Sequence, residues 1–375
     1  MIKSTVFKND LDTPCLVLDI ELFEQNLHTM RDHAMSAGKK LRPHAKTHKC
    51  SEMARRQLKS GNCAGICVAK VSEAWVLAQS GIKDILITSP VTTVKKIEKM
   101  FDCATLCDSL IVVVDNFNHV DFLNAEAARR KNILKVLVDI DPEMGRTGVD
   151  FASALELGKY ITGQSNLELK GIQCYAGQVQ HISGFEERRD TSLQLMRHAA
   201  KVFNQFKESG LGCDIFTGTG TGTFDIDCEI PEMTDLQVGS YCVMDSEYFQ
   251  LGSRGNPNRF EAFQPALTIL SSVISVNQDN FVTIDAGLKA IYYTPEAPPL
   301  TINPPYQQGW KYDWFGDEFG RINIPAGQTK PALGAIIELC ASHCDPTINL
   351  FDSIYVVRKN EVIDCWAIDL RGRCQ

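Results

Sequence analysis

From residue 20 onward, short apolar, β-branched runs alternate with longer stretches whose apolar residues recur at helical spacing. The runs fall at 40–44, 65–69, 84–88, 110–115, 134–139, 169–175, 214–217 and 236–241. Amphipathic stretches at 72–80, 94–100, 120–131 and 187–209 lie between them. Strands buried on both faces read as continuous apolar runs, and a parallel sheet needs a crossover between successive strands. Eight such runs predict a (β/α)8 TIM-like barrel. A doubly wound open sheet is the rival, but the even count and the reactive residues after nearly every run favour the barrel.

After Tyr248 the period changes. Residues 267–276, 281–285, 331–339, 353–358 and 361–367 read as strands without helices between them. Gly and Pro punctuate this part, notably at 295–305 and 325–327. The expectation is an all-β domain. Segment 14–18 is strand-like, precedes the first helix, and is expected to pair with it. The predicted organisation is a barrel over 20–250 and a β domain built from 1–19 and 251–375.

Composition narrows the function classes. With 44% hydrophobic and 22% charged residues, the chain has the balance of a soluble globular protein. A net charge of -8 offers no basic field for phosphate backbones, so nucleic acid is not expected as a partner. No apolar run is long enough to span a bilayer, and residues 1–12 are charged and polar. A cytoplasmic protein without membrane attachment is the expectation. The fourteen cysteines form no CxxC pair and are expected as reduced thiols, mostly in the core.

In a parallel barrel the chemistry sits at the C-terminal ends of the strands. Those ends carry Lys46, Asp115, Arg146, Tyr175 with His181 beyond, the loop 217–223, and Ser240-Tyr241. A lysine desolvated at a strand end loses proton affinity, and its neutral amine can condense with an aldehyde. A basic surface turn is the alternative reading of Arg42-Pro43-His44-Ala45-Lys46-Thr47-His48-Lys49. With Lys46 on the rim instead, His44 and His48 would shape the pocket rather than bind metal. The loop Thr217-Gly218-Thr219-Gly220-Thr221-Gly222-Thr223 alternates glycine with threonine, so backbone N–H groups and hydroxyls could converge on an anion. A flexible glycine loop is its alternative. It lacks the lysine of a P-loop, which argues against a nucleoside triphosphate. A reactive lysine and a phosphate cradle on one rim point to pyridoxal phosphate.

The segment Val138-Asp139-Ile140-Asp141-Pro142-Glu143-Met144-Gly145-Arg146-Thr147-Gly148 resembles the strand-five signature of alanine-racemase-like, fold-type III pyridoxal phosphate enzymes. Asp12-Thr13-Pro14, the 42–49 segment, Lys70-Val71-Ser72-Glu73-Ala74, Gln180-His181, Gly239-Ser240-Tyr241 with Met244-Asp245, and Ser342-His343-Cys344-Asp345-Pro346-Thr347 are similar to the D-threonine aldolase and eukaryotic-type D-serine dehydratase family. The likeness runs nearly end to end, with the motifs in order. It implies that Lys46 holds the cofactor, that Arg146 contacts its phenolic oxygen, and that loop 217–223 binds its phosphate. Tyr175 would pack near the ring, and Ser240 and Tyr241 would support the phosphate.

The resemblance also implies a divalent metal beside the cofactor. His343 and Asp345 are its expected ligands, sharing one face of a strand two residues apart, although in isolation a capped turn before Pro346 is the commoner reading of His-x-Asp. Dehydratase relatives carry cysteine where this chain has Asp345. Nitrogen and oxygen donors suit Mn2+ or Mg2+, with Zn2+ an alternative. This favours retro-aldol cleavage of a D-β-hydroxy-α-amino acid, such as D-threonine or 3-hydroxy-D-aspartate, to glycine and an aldehyde. His181 is the candidate base. Dehydration of D-serine or 3-hydroxyaspartate to a keto acid and ammonia stays open, as does a non-catalytic pyridoxal phosphate-binding protein. Phe319 replaces a histidine expected in Asp-Glu-His-Gly. Relatives imply a head-to-tail homodimer.

Overall fold

The computed structural model describes residues 5–302 and 309–375, so the end of the proline-rich stretch at 295–305 lies outside it. The chain divides into two compact units. One comprises Met30–Lys46, Ser51–Gly239 and Gly372–Gln375; the other comprises Met1–Thr29, Thr47–Cys50 and Ser240–Arg371.

Strand β1 (Cys15–Asp19) is followed by eight short strands: β2 (Lys40–Leu41), β3 (Ile66–Val68), β4 (Asp84–Ile87), β5 (Ser109–Val114), β6 (Leu134–Ile140), β7 (Leu167–Cys174), β8 (Ile215–Gly218) and β9 (Asp235–Leu236). β2 to β9 form one sheet in the order β2-β9-β8-β7-β6-β5-β4-β3, all pairs parallel. Parallel bridges from Leu41 to Cys63 and from His44 to Cys67 join the two edges. The closed parallel sheet is the predicted barrel. The strand at 236–241 is shorter than the apolar pattern predicts: β9 ends at Leu236, and Ser240–Cys242 form a 3-10 turn.

The barrel interior follows from strand alternation. Cys67, Leu86, Ile111, Val113 and Leu137 form one buried cluster, with Ile215 packed against it. Residues two apart on a strand share a face. Asp139 therefore follows Leu137 on the interior face, and Thr217 follows Ile215. The interior thus turns from apolar to polar at the C-terminal ends of the strands. Helices Val71–Gln79, Val94–Ala104, Phe117–Arg129 and Phe185–Glu208 cover the sheet where the amphipathic stretches predict them.

The second unit is built on β1, β10 (Leu267–Ser275), β11 (Phe281–Ile284), β12 (Leu300–Thr301), β13 (Lys311–Trp314), β14 (Gly320–Asn323), β15 (Ile336–Cys340), β16 (Ser353–Arg358) and β17 (Glu361–Ala367). The main path is β13-β14-β11-β10-β1-β16-β17, and β15 pairs with β10 and β12. β1 lies inside this sheet, antiparallel to β10 and parallel to β16, as its position before the first helix predicts. Cys15, Val17, Leu270 and Val357 are its buried centre. The unit is not free of helices, because Cys344–Ile348 forms a short one. Among the described residues, which include all fourteen cysteines, there is no disulfide.

Candidate active site

Lys46, Arg146, Tyr175, His181 and the loop 217–223 all belong to the barrel unit, and all follow C-terminal strand ends. The sheet is parallel, so those ends lie on one rim. Lys46 comes five residues after β2 and is half-buried. His44 is buried beside it, its Nε2 3.1 Å from the Thr88 hydroxyl, and the Lys46 backbone N–H donates to His44 Nδ1 at 3.4 Å.

The Arg146 segment is a turn shaped by its own polar residues. The Asp141 carboxylate accepts from the backbone N–H of Met144 at 2.8 Å and of Gly145 at 3.0 Å, the local bonding that makes aspartate a turn former. Gly148 has φ +102°, and a Cβ there would meet Asp141 N at 2.4 Å, so only glycine fits. Asp115, also on the rim, accepts from Gly148 N at 3.2 Å and holds this turn. The Arg146 guanidinium lies 5.4 Å from the centre of the Tyr175 ring, within cation–π range, and the residue stays exposed.

Beneath the rim runs a buried polar chain in which Thr217 alone belongs to the sequence-based site. Asp139 accepts from Thr147 Oγ1 at 2.9 Å and from Gln173 Nε2 at 2.8 Å. Gln237 Nε2 donates to Gln173 Oε1 at 3.1 Å and to Thr217 Oγ1 at 3.2 Å. The Thr217 hydroxyl donates to Asp235, whose carboxylate pairs with Arg42 at 3.2 Å. Burial raises the Asp139 carboxyl to about 6, the bonds from Gln173 and Thr147 opposing the shift. The available signal was polar residues at alternate positions inside apolar runs.

The glycine–threonine loop is tighter than a flexible linker. Thr217, Thr219, Thr221 and Thr223 are buried. Thr219 has φ +77°, a left-handed conformation that a β-branched residue adopts only when its surroundings impose it. A Cβ at Gly222 would meet Gln180 O at 2.2 Å. Three hydroxyls expected to serve an anion are engaged within the protein instead: Thr217 with Asp235, Thr219 with the Met233 sulfur, and Thr223 with Asp227. A buried hydroxyl satisfies its proton on the nearest acceptor.

Residues 18–247 match the alanine racemase N-terminal domain, and residues 266–357 match a putative serine dehydratase domain. The chain is 38% identical to D-threonine aldolase of Arthrobacter sp over 367 residues, covering 96% of this chain and 93% of that protein. The chain belongs to the D-threonine aldolase and D-serine dehydratase family of alanine-racemase-like proteins. It is 32% identical over 374 residues to 3-hydroxy-D-aspartate aldolase of Paracoccus denitrificans (strain Pd 1222), covering 98% of this chain and 94% of that protein. The crystal structure of D-threonine aldolase from Filomicrobium marinum superposes with a TM-score of 0.90 at 32% identity, covering 99% of this chain and 98% of that one.

Other family motifs lie in the second unit. His343 is not on a strand: it caps the helix Cys344–Ile348 in extended conformation, and Asp345 is the second helical residue. The strand-face argument therefore fails. The sequence permits the helix because Pro346 falls in its first turn, where the missing N–H has no intrahelical partner to lose. Buried Asp245 organises this corner. Its carboxylate accepts from Tyr248 N at 3.2 Å, Cys344 N at 3.1 Å and His343 Nδ1 at 3.1 Å. Glu247 lies 3.4 Å from the same nitrogen. Burial lowers the imidazole, but the Asp245 hydrogen bond and the charges of Asp345, Asp245 and Glu247 prevail and raise it to about 9. Ser240 and Tyr241 also fall in this unit, Tyr241 packed edge-on against Phe263 at 5.7 Å. Phe319 is exposed between β13 and β14.

Proposed function

We propose that this chain is a pyridoxal phosphate-dependent lyase that cleaves D-β-hydroxy-α-amino acids between Cα and Cβ, giving glycine and an aldehyde. The observation that carries the reading is its nearly full-length similarity to D-threonine and 3-hydroxy-D-aspartate aldolases. The rim fits the cofactor by its donor set: an amine, a guanidinium and a buried glycine turn follow strand ends of one parallel sheet. Lys46 would hold the aldehyde carbon, Arg146 the phenolic oxygen, and the backbone of 217–223 the phosphate. When bound, the cofactor supplies an electron sink for the breaking bond. His181, exposed on the loop after the 3-10 turn Gly177–Val179, is the group assigned to take the substrate's β-hydroxyl proton.

His343 and Asp345 are the proposed ligands of a divalent ion. Asp245 engages Nδ1, which leaves Nε2 for coordination, and a carboxylate that orients a metal-binding imidazole is a common supporting contact. Among the described residues no group of three or more His, Cys, Asp or Glu is placed to hold a metal ion, so the protein would supply these two ligands alone. A site of two protein ligands leaves positions open to water and substrate, and its nitrogen–oxygen donors suit Mn2+ or Mg2+.

The putative serine dehydratase match over 266–357 supports dehydration as the second reading. Incubating the protein with pyridoxal phosphate, Mn2+ and D-threonine distinguishes them. Glycine and acetaldehyde are expected. Release of 2-oxobutyrate and ammonia would transfer the assignment to dehydration.

A further inference from the structure

Arg188 is completely buried in the helix Phe185–Glu208. Its guanidinium reaches backbone carbonyls of two separate segments. Nε donates to Gly222 O at 2.8 Å, while Nη1 donates to Ile182 O at 2.6 Å and Ser183 O at 3.4 Å. The Phe185 ring lies 5.6 Å from the guanidinium carbon. Burying a guanidinium is costly, and these carbonyl dipoles offset part of that cost. A planar fork can serve two directions at once, which a lysine ammonium does poorly.

Gln180 makes a second link between the same segments. Its Oε1 accepts from Gly222 N at 3.0 Å, and its Nε2 donates to Thr223 Oγ1 at 3.0 Å and to Ala176 O at 3.3 Å. Thr223 in turn donates to Asp227 at 2.6 Å, and Asp227 also accepts from Ser192, on the same helix as Arg188. Gly222 is thus gripped at its carbonyl by Arg188 and at its N–H by Gln180. The second segment grips on either side of His181, at Gln180 and at Ile182.

We propose that Arg188 and Gln180 are positioning residues that splice the His181 segment to the turn 220–223, so that one clamp sets both the imidazole and an anion held by the turn. This rests on reading the turn as the phosphate site and His181 as the base. The clamp ties the group assigned to proton transfer to the groups assigned to the cofactor.

Hydrogen–deuterium exchange on the full chain tests it, as purified and after saturation with pyridoxal phosphate, for wild type, Arg188→Lys and Gln180→Glu. Losing a bond to a buried charge is expected to speed exchange roughly tenfold in segments 176–184 and 217–224 together. With cofactor saturating, kcat on D-threonine is expected to fall about tenfold while KM changes little, a split that general destabilisation does not produce. Wild-type exchange in 176–184 for the two variants would overturn the proposal. Gln180→Glu keeps the acceptor for Gly222 and loses the donors to Thr223 and Ala176, so it tests the Gln180 side of the clamp if Arg188→Lys does not fold. Failure of pyridoxal phosphate to protect 217–224 in wild type would overturn the cofactor reading instead, and the ligand-free exchange still judges the splice.

Discussion

Asp139 sits where the barrel interior changes from apolar to polar, and its chemistry follows from that position. Leu137 lies two residues earlier on the same face, in the apolar cluster. The carboxylate itself is bonded to Thr147 and Gln173. Thr147 adjoins Arg146, so the charge on Asp139 bears on the guanidinium assigned to the cofactor. Burial raises this carboxyl to about 6, against roughly 3.9 for an unfolded aspartate. Between those values the folded protein holds the extra proton. The resulting stabilisation is complete below about pH 4 and is lost as pH rises through about 6, by roughly 3 kcal/mol at most. Asp139→Asn is expected to remove this slope. Urea unfolding at a series of pH values should show the variant gaining on wild type from pH 4 to 7; parallel curves would refute the titration.

At the scale of elements, the turn 217–223 is the most informative. Its alternating glycines were legible in the sequence; its fully buried state was not. Loop composition does not reveal what packs over a loop, and here Gln180 and Arg188 do so from residues distant in the chain. Gly222→Ala would place a methyl group 2.2 Å from a backbone oxygen, which cannot swing aside as a flexible side chain can. Overpacking of this kind destabilises by about 1–3 kcal/mol. The variant is expected to melt lower and to bind pyridoxal phosphate at least tenfold more weakly; thermal denaturation and cofactor titration measure both. The His343 segment shows the opposite weakness of sequence reading. His-x-Asp fits a strand face and a helix cap equally well by spacing alone, and a capped helix with Pro346 in its first turn is what forms.

At the scale of the whole molecule, the residues named in the proposed function divide between the two compact units. Lys46, Arg146 and His181 belong to the barrel unit, and His343 and Asp345 to the β-rich unit. The two contributions are separable by experiment. Lys46→Ala is expected to abolish the absorbance band of the lysine-linked cofactor. Chelation, or His343→Ala, is expected to remove most turnover while leaving that band in place. Full activity in chelator would take His343 and Asp345 out of the reaction, and a retained band in Lys46→Ala would take Lys46 out of cofactor attachment.

The sequence by itself determined the alternation of strands and helices, the change to a mostly β part after Tyr248, the return of β1 to that part, and the order of rim residues. These follow from apolar periodicity and from the rule that parallel strands present their C-terminal ends together, neither of which needs coordinates. Only the tertiary structure decided the partners of buried polar groups. Asp139 with Thr147, Gln180 and Arg188 with Gly222, and Asp245 with His343 are pairings whose strength depends on distance and dehydration. Burial makes such bonds obligatory, yet the chain positions that satisfy them can lie anywhere, from eight residues apart for Asp139 and Thr147 to 98 for Asp245 and His343.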